Sequence, residues 1–413
     1  MRGELIIIGD EILDGRVANT NGNYLAGRLA AVGLGVSRIT TIGDREEDMA
    51  RVLGHAARLA DFVLVTGGLG STDDDLTTAV AARAFDRPLT LRQDILDRIR
   101  AVCRAQSRPV DQLERLAWLP QGARPLSETH YCGFFLVQGN CLFCFLPGVP
   151  EEVRDLFEQQ VLPLLLERFA GQPLFRQRII KLLGLTESQA AALMSEVPPA
   201  HPQVAFGSYP NFPEVHLSLT VQGSDPRELD RILDQTEADL QGRLGRFIFG
   251  RDNETLASVL GWLLKDKGLT LATAESCTGG RAAQMITSVP GSSAYFIEGV
   301  VSYANRAKED LLGVQPGLLE AHGAVSPQVA AAMAQGLKKR AKVDLAVSVT
   351  GIAGPEGGSP DKPVGTVFLG LAAADRTVVE GCFFGGGRER IQIQAAAKAL
   401  DLCRRLLLLG ENR

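Results

Sequence analysis

The chain of 413 residues is long enough for two or three domains of roughly 150 residues each. Hydrophobic residues make up 45% of it and charged residues 22%, which is typical of a globular protein with buried cores. Its formal net charge of −5 argues against a general affinity for nucleic acids or anionic membranes.

The chain begins with the apolar run ELIIIG, which predicts a β-strand. This run is too short for the apolar region of a signal peptide, and no cleavage site follows it. No stretch approaches the roughly 18 apolar residues that a membrane-spanning helix needs. The seven cysteines are odd in number and follow no disulfide framework, which fits a reducing compartment. These features predict a cytoplasmic protein without a membrane partner.

Short apolar strands alternate with amphipathic helices over residues 1–170. The predicted strands are ELIIIG, GVSRITTIGD and DFVLVTGGLG, and the helices between them are NTNGNYLAGRLAAVG, closed by Gly33, and EEDMARVLGHAARLA. Strands without polar alternation are covered on both faces, so this part is predicted to be a parallel α/β sheet.

Residues 171–250 have a different pattern, which predicts a small α+β module. It contains a strand in FRQRIIKLLGL, a helix in TESQAAALMSEV with a threonine cap, an alternating strand in EVHLSLTVQG and a long amphipathic helix. Over residues 251–413 the α/β alternation resumes with the strands LTLATAES, DLAVSVTG and VGTVFLGLAA, and a final helix is predicted from about 388 to 409.

The stretch AESCTGG places two candidate nucleophiles side by side, Ser276 and Cys277. A reactive Cys277 needs a base such as His322, the only histidine in this part of the chain; the alternative is an inert, buried thiol. Ser276 also needs a base, and Lys308 in VVSYANRAKEDLLGV is the candidate, since burial can lower the pKa of a lysine. The alternative is that Lys308 is an ordinary surface lysine.

Glycine-rich segments surround these candidates. Thr278, Gly279 and Gly280 open a predicted helix, whose unpaired N–H groups can hold an oxyanion. The turns at 349–358 and 384–390 can approach a phosphate, and Arg388 can clamp it, unless they are simple turns. Together they predict a hydrolase for a small, phosphate-bearing substrate.

The N-terminal part also has a glycine loop, VTGGLGSTDDDLTTA, which lacks the Gly-Lys-Ser/Thr of a P-loop. Its acids Asp73, Asp74 and Asp75 either cap a helix or hold a divalent cation on a diphosphate. Further polar residues follow the first strand, where parallel sheets bind ligands: Asp10, Glu11, Asn19 and Asn21.

A zinc site at His130, Cys132, Cys141 and Cys144 is not favoured. Cys141 and Cys144 fall in one apolar strand, where their side chains point to opposite faces, whereas zinc ligands converge. The basic run KKRAK at 338–342 is interpreted as the solvated end of a helix.

In order along the chain, the motifs AESCTGG, PGSSAYF, VVSYANRAKEDLLGV, HGAVS, TGIAGPEGG and KPVGTV resemble the C-terminal domain of the CinA family over nearly all of 253–413. That domain is similar to nicotinamide mononucleotide amidase, which implies hydrolysis of the nicotinamide amide with release of ammonia, in pyridine nucleotide salvage. The resemblance implies Ser276 as nucleophile, Lys308 as its base and Tyr303 as an assisting group, with Cys277 a bystander. It implies no metal or cofactor, and these substrate-binding residues: Thr278, Gly279, Gly280, Thr350, Gly351 and Arg388.

The motifs GDEIL, NTN, TIGD, TGGLG and LPGVPEEV resemble the first domain of the same family, which is similar to the molybdopterin-binding fold of the Mog and MoaB proteins. In several members this domain is a metal-dependent ADP-ribose pyrophosphatase. The resemblance implies a divalent metal (Mg, Mn or Co) at Asp44 and Asp75, and these nucleotide-binding residues: Glu11, Asn21, Gly67, Gly68 and Asp74.

Two departures from the family pattern leave the activity of this first domain open. Ser71 stands where the family usually has proline, and residues 126–135 read LSETHYCGFF where the family has a loop of the type NPxGTAPGF. The domain is therefore an active pyrophosphatase, a site for another nucleotide, or a support for assembly.

The middle module resembles a KH-like fold but has no GXXG loop, so RNA binding is not predicted. The predicted partners are small-molecule nucleotides, and the resemblance implies a homodimer. The alternative class is a non-enzymatic binding or assembly protein associated with competence.

Overall fold

The computed structural model describes residues 1–72, 74–105, 109–110, 113–127, 133–171, 173–195, 202–374 and 376–409. The chain divides into two compact units, and each is described by itself. The first unit is Met1–Gln177 with Gln222–Leu229, and the second is Arg178–Val221 with Asp230–Arg413.

The first unit is built from eight strands and seven helices in its described residues. The strands are β1 (Gly3–Ile8), β2 (Val36–Ile42), β3 (Phe62–Thr66), β4 (Leu89–Leu91), β5 (Trp118–Pro120), β6 (Arg124–Pro125), β7 (Phe134–Gln138) and β8 (Cys141–Leu146). The helices are α1 (Asp10–Leu13), α2 (Thr20–Ala31), α3 (Glu46–Leu59), α4 (Thr77–Ala84), α5 (Gln93–Ala105), α6 (Pro150–Leu156) and α7 (Leu162–Arg168).

The main sheet of this unit has the strand order β2-β1-β3-β8-β7-β6. Strands β2, β1, β3 and β8 are parallel, as predicted, but β7 and β6 add an antiparallel edge that the sequence analysis did not foresee. A tight turn at Gly139 joins β7 to β8, and such a hairpin connection forces antiparallel pairing.

Both faces of this sheet are covered, because alternate residues of each buried strand enter different hydrophobic clusters. In β8, Cys141 belongs to one cluster and Cys144 to the other. The two thiols therefore point to opposite faces, as the strand periodicity predicts. Burial raises the pKa of both, to about 12 for Cys141. His130 and Cys132, the other ligands of the disfavoured zinc site, lie outside the described residues.

The middle of the chain forms a four-stranded sheet with two helices. Its elements are β9 (Leu174–Leu183), α8 (Glu187–Ser195), β10 (Ala205–Asn211), β11 (Glu214–Gly223), α9 (Pro226–Leu244) and β12 (Ile248–Arg251), with the strand order β10-β11-β9-β12. Thr186 caps α8 as predicted, since its hydroxyl accepts the N–H of Gln189 while the Gln189 side chain accepts the N–H of Thr186.

The C-terminal part contains five strands and six helices in its described residues. They are α10 (Leu256–Asp266), β13 (Leu271–Glu275), α11 (Arg281–Thr287), β14 (Phe296–Val301), α12 (Asn305–Leu312), α13 (Pro316–His322), α14 (Pro327–Ala341), β15 (Leu345–Gly351), β16 (Thr366–Ala372), β17 (Thr377–Phe383) and α15 (Arg388–Leu409).

The order of this sheet is β14-β13-β15-β16-β17. The first three strands are parallel to one another, β16 pairs antiparallel with β15, and β17 pairs antiparallel with β16. The carboxyl ends of β14, β13 and β15 therefore lie next to one another, which is where open α/β sheets bind ligands. None of the described helices combines the length and apolar character that crossing a bilayer requires.

Candidate active site

The ends of the three parallel C-terminal strands meet at one small cavity. Ser276 directly follows β13, Tyr303 lies two residues beyond β14, and Thr350 and Gly351 end β15. The cavity has a volume of about 210 Å³ and is lined by Ser276, Cys277, Tyr303, Lys308, Ala324, Val325, Thr350, Gly351, Ala353 and Arg388. Residues from widely separated parts of the sequence thus meet as the sequence analysis predicted.

Lys308 and Ser276 are in direct contact in this cavity. The Lys308 Nζ lies 3.2 Å from the Ser276 Oγ, and it also donates to the carbonyl oxygens of Ser302 at 2.8 Å and Tyr303 at 3.2 Å. Only 1% of Lys308 and 9% of Ser276 is exposed. Burial lowers the pKa of Lys308 from its ordinary value of 10.5, which favours the neutral amine.

The three partners of Lys308 can satisfy either protonation state of its amine. An ammonium group can donate its three hydrogens to the carbonyl oxygens of Ser302 and Tyr303 and to the Ser276 Oγ, but it cannot accept a proton. A neutral amine instead has two hydrogens, which the carbonyl oxygens of Ser302 and Tyr303 can take, and one lone pair, which then faces the hydroxyl of Ser276. This geometry allows Lys308 to accept the hydroxyl proton when Ser276 attacks.

Cys277 lies beside Ser276 but is poorly suited to attack. It is 4% exposed, and burial raises the pKa of its thiol to about 12, which disfavours the thiolate. The side chain of Gln392 donates to the Cys277 carbonyl oxygen at 2.8 Å. His322 is exposed at the end of α13, where its carbonyl oxygen accepts from Lys362. The cysteine–histidine alternative therefore gains no support.

The loop between Ser276 and α11 differs from its predicted role in one respect. Gly279 and Gly280 both have the left-handed backbone that favours glycine, with φ of 64° and 97°. However, the N–H of Gly279 donates to the carbonyl oxygen of Ser276, and the N–H of Gly280 donates to the carboxylate of Glu275. The prediction that these two N–H groups are unpaired and available to an oxyanion is therefore wrong.

Two of the predicted substrate-binding residues, Thr278 and Thr350, differ in whether they line the cavity. The hydroxyl of Thr278 is buried and has no partner among the described residues, so it does not face the cavity solvent. Thr350 lines the cavity and its hydroxyl donates to the carbonyl oxygen of Ala324 at 2.7 Å. Contact with substrate stays a prediction for both.

Arg388 connects two loops at the rim of the cavity. Its Nη1 donates to the carbonyl oxygen of Gly354 at 2.7 Å, and its Nη2 donates to the hydroxyl of Tyr303 at 2.8 Å. Tyr303 thus contributes its carbonyl oxygen to Lys308 and its exposed ring to the rim. Arg388 is the first residue of α15, and its phosphate-binding role stays a prediction.

A second candidate site lies in the first unit, at the carboxyl ends of its parallel strands. A cleft of about 530 Å³ is lined by every residue that the resemblance assigned there: Glu11, Asn21, Asp44, Gly67, Gly68, Asp74 and Asp75. Asn21 is held by a hydrogen bond from its side chain to the carbonyl oxygen of Gly148 at 2.8 Å. A Cβ on Gly67 would lie 2.1 Å from the carbonyl oxygen of Ile8, so only glycine fits this close approach.

Carboxylates of this cleft already accept hydrogen bonds from nearby groups of the protein. The Asp44 carboxylate accepts the N–H of Asp10, and burial raises its pKa, helped by the nearby charges of Asp10, Glu11 and Asp74. The Asp75 carboxylate accepts the N–H and the hydroxyl of Thr72 at 2.9 and 2.5 Å rather than capping α4. Asn19 caps α2 through the N–H of Gly22.

The two predicted metal ligands, Asp44 and Asp75, do not form a ready ligand set. Among the described residues, which omit Asp73, no group of three or more His, Cys, Asp or Glu side chains is arranged to hold a metal ion. Metal binding at this cleft therefore stays a prediction from the resemblance.

Three supporting residues of the C-terminal site were missed by the sequence analysis: Glu275, Ser302 and Gln392. Gln392 follows Arg388 by four residues in α15, so helical spacing puts both on one face, and this signal was available. Glu275 ends a strand whose other residues are leucine, alanine and threonine, and an acid at the end of such a strand signals a specific partner.

Three family models match the chain in the same order as these structural parts. They are described as a probable molybdopterin binding domain over residues 4–167, a damage-inducible protein CinA KH domain over 177–250, and a CinA C-terminal domain over 253–407. By these models, the first domain of the chain is a probable molybdopterin binding domain.

Similarity to curated proteins extends along the whole chain. A CinA-like protein of Geobacter sulfurreducens is 43% identical over 99% of this chain and 100% of its own length, and one of Desulfotalea psychrophila is 41% identical over 98% of both. The crystal structure of competence/damage inducible protein CihA from Agrobacterium tumefaciens covers 38% of this chain and 94% of its own, at 41% identity and a TM-score of 0.36. The chain belongs to the CinA family.

Proposed function

We propose that the C-terminal part hydrolyses nicotinamide mononucleotide to nicotinate mononucleotide and ammonia. The observation that carries this proposal is the contact between the buried amine of Lys308 and the hydroxyl of Ser276 at 3.2 Å. The choice of substrate rests on the family resemblance, and the chemistry rests on this pair.

In the first step the Ser276 Oγ attacks the carbonyl carbon of the amide while Lys308 takes the hydroxyl proton. The tetrahedral adduct then collapses, the bond from carbon to nitrogen breaks, and Lys308 returns the proton to the departing nitrogen, which leaves as ammonia. Water next attacks the resulting ester, again losing its proton to Lys308, and the acid is released with Ser276 restored.

The size of the cavity limits how much of the substrate it encloses. Pockets that enclose whole drug-sized ligands span about 300–1,000 Å³, and this cavity holds about 210 Å³. We assign the cavity to the nicotinamide end and the adjoining rim, which carries Arg388, to the phosphate. The small apolar side chains of Ala324, Val325 and Ala353 form the wall for the ring.

Ammonia release from nicotinamide mononucleotide by the purified full chain tests this function. We expect Ser276→Ala to abolish turnover and Cys277→Ala, its matched neighbour, to retain it, because the thiol is protonated and buried. Ammonia release that survives Ser276→Ala would refute the nucleophile. An inactive wild-type protein that still binds the mononucleotide would favour the non-enzymatic alternative.

We further propose that the cleft of the first unit binds a nucleotide diphosphate such as ADP-ribose. The supporting observation is that all seven residues implied by the resemblance line one cleft. Binding of ADP-ribose, measured by calorimetry with and without Mg²⁺, tests this, with hydrolysis as a separate readout. We expect Asp44→Asn to remove any metal-dependent part of the binding, and Glu47→Gln, an exposed control on α3, to leave it unchanged.

A further inference from the structure

Glu275 ends β13 immediately before the candidate nucleophile, and its carboxylate is almost entirely buried, with 1% of the residue exposed. It accepts three backbone N–H groups from the segment that follows Ser276. The Oε2 accepts from Gly280 at 3.1 Å and Ala282 at 3.0 Å, and the Oε1 accepts from Ala283 at 2.8 Å. Hydrogen bonds to a charged acceptor are roughly twice as strong as neutral ones, so this is a firm attachment.

The three bonds close rings that contain Ser276. The acceptor is residue 275 and the donors are residues 280, 282 and 283, so the nucleophile lies inside the closed segment. Gly279 and Gly280 would otherwise leave this segment many conformations, since glycine is the least restricted residue. The carboxylate therefore restricts the loop that glycine makes possible, and with it the position of the Ser276 Oγ.

The backbone of Glu275 is connected to Lys308, the other member of the pair, through Ser302. The carbonyl oxygen of Glu275 accepts the N–H of Ser302 at 2.8 Å, and the carbonyl oxygen of Ser302 in turn accepts from Lys308 at 2.8 Å. Glu275 thus connects the nucleophile loop, through its side chain, with the end of β14 that orients the amine, through its backbone.

We propose that Glu275 is a positioning residue for the Ser276–Lys308 pair, which fixes the distance between hydroxyl and amine without touching the substrate. This inference rests on the proposed function only for the choice of substrate in the assay. A carboxylate that merely stabilised α11 would affect how much protein folds. A positioning carboxylate also affects the rate of each folded molecule.

Glu275→Gln is the decisive substitution, because it keeps the size and shape of the side chain. Both oxygens of the carboxylate accept backbone N–H groups, so a glutamine must turn its NH₂ toward at least one of those donors in either orientation. That donor then loses its partner and the loop shifts. A displacement of about 1 Å at a reacting group costs about 100-fold in rate.

We therefore expect Glu275→Gln to lower kcat for nicotinamide mononucleotide by about 100-fold with KM changed less than about threefold. The matched control is Asp401→Asn, which changes another buried carboxylate to an amide in α15, where Asp401 pairs with Arg404. We expect this control to lower the melting temperature while kcat per folded molecule stays at the wild-type value.

Labelling of Ser276 by phenylmethylsulfonyl fluoride gives a readout that does not depend on the natural substrate. The Oγ forms a bond to sulfur, the bond from sulfur to fluorine breaks, fluoride leaves, and the hydroxyl proton passes to Lys308. Mass spectrometry gives both the final labelled fraction and the rate constant. We expect Glu275→Gln to reach the wild-type fraction at a rate lowered by about 100-fold.

The outcomes separate the two proposals. If the wild type is labelled at Ser276 but does not hydrolyse the mononucleotide, the proposed substrate fails and the labelling rates still test Glu275. A Glu275→Gln protein with wild-type rates, or one whose losses match its lost folded fraction as in Asp401→Asn, overturns the positioning role. A wild type that shows neither labelling nor hydrolysis overturns both.

Discussion

The C-terminal cavity and the N-terminal cleft lie at corresponding places in two α/β sheets, but their polar groups are used differently. In the cavity, a hydroxyl and a buried amine contact each other, and the other hydrogens of that amine have backbone acceptors. In the cleft, the carboxylates of Asp44 and Asp75 accept donors from their own loops. One site has a hydroxyl and an amine in contact, and the other has a group of carboxylates that are bound to nearby backbone groups.

The difference shows that convergence of side chains does not by itself bring two potential reacting groups into contact. Both sites gather residues from the carboxyl ends of adjacent strands, because parallel strands bring those ends together. In the C-terminal site, burial lowers the pKa of Lys308, and its amine lies within hydrogen-bonding distance of a hydroxyl. The acids of the cleft stay partly solvated, which suits binding better than proton transfer.

The largest expected effect comes from removing the amine. Lys308→Met keeps the apolar stem and deletes the base, and general bases contribute up to about 10⁴-fold, so we expect kcat to fall by about 10³-fold or more. Lys339→Met, at an exposed lysine on α14 of the same domain, should stay within about twofold of wild type.

The double substitution Ser276→Ala with Lys308→Met sharpens this test. Residues that act as a unit are not additive, so we expect the double variant to be no slower than either single variant. Full additivity of the two losses, or Lys308→Met activity within tenfold of wild type, would show that the two groups do not act as a pair.

The next largest effect concerns the close packing under the N-terminal cleft. Gly67→Ala places a Cβ 2.1 Å from the carbonyl oxygen of Ile8, at a backbone φ of 102° that favours glycine. We expect the free energy of unfolding of the first unit to fall by about 3 kcal/mol. Gly54→Ala, in α3 with open space around it, should instead stabilise the unit by about 0.5–1 kcal/mol.

The two tryptophans allow this loss to be assigned to one unit. Trp118 lies in the first unit and Trp262 in the second, and the chain has no other tryptophan. In a Trp262→Phe background, urea unfolding followed by fluorescence should report the Gly67→Ala loss, and in a Trp118→Phe background it should not. Equal shifts in both backgrounds would contradict independent unfolding of the two units.

The smallest expected effect is a gradual change of rate and stability with pH. If only the neutral amine of Lys308 acts as base, kcat/KM should rise about tenfold per pH unit and then reach a plateau. Because burial lowers the pKa of Lys308, we expect the midpoint of this rise to lie below 10.5. An unfolded chain, with its lysine at the ordinary pKa, binds more protons between the two values, so the stability of the second unit should also rise with pH across that window.

Rates and urea midpoints measured from about pH 6 to 10, on wild type and Lys308→Met, check this dependence. As pH rises, the free energy of unfolding of wild type should increase relative to that of Lys308→Met. A rate that still rises about tenfold per pH unit at pH 10, with no curvature, would mean that the pKa of Lys308 is that of an ordinary lysine. A flat profile would mean that loss of a proton from Lys308 does not control the rate.

Much of the C-terminal site was predictable from short motifs. AESCTGG placed Ser276 after a strand, and VVSYANRAKEDLLGV placed Lys308 within reach of a neighbouring strand. Its hydrogen bonds were not predictable. Whether the N–H of Gly280 faces a substrate or the Glu275 carboxylate depends on how α11 leaves the sheet, which is a matter of packing.

Two further features could not be predicted from the sequence. They are the antiparallel edge formed by β7 and β6, and the hydrogen bonds made by the acids of the N-terminal cleft. Unbroken apolar runs indicate strands covered on both faces, which favours a parallel sheet, but they do not exclude an antiparallel strand at its edge. Likewise, three consecutive acids look alike in the sequence. Only the folded loop shows that the Asp75 carboxylate turns back to Thr72.

The sequence by itself determined the alternation of elements, the buried strands and the candidate reacting groups, because these depend on local patterns and residue chemistry. The tertiary structure alone decided that the pKa of Lys308 is lowered and which donors remain for a ligand. Those properties arise from burial and from partners far apart in the chain, such as Ser276 and Lys308, which become neighbours only when three strands end side by side.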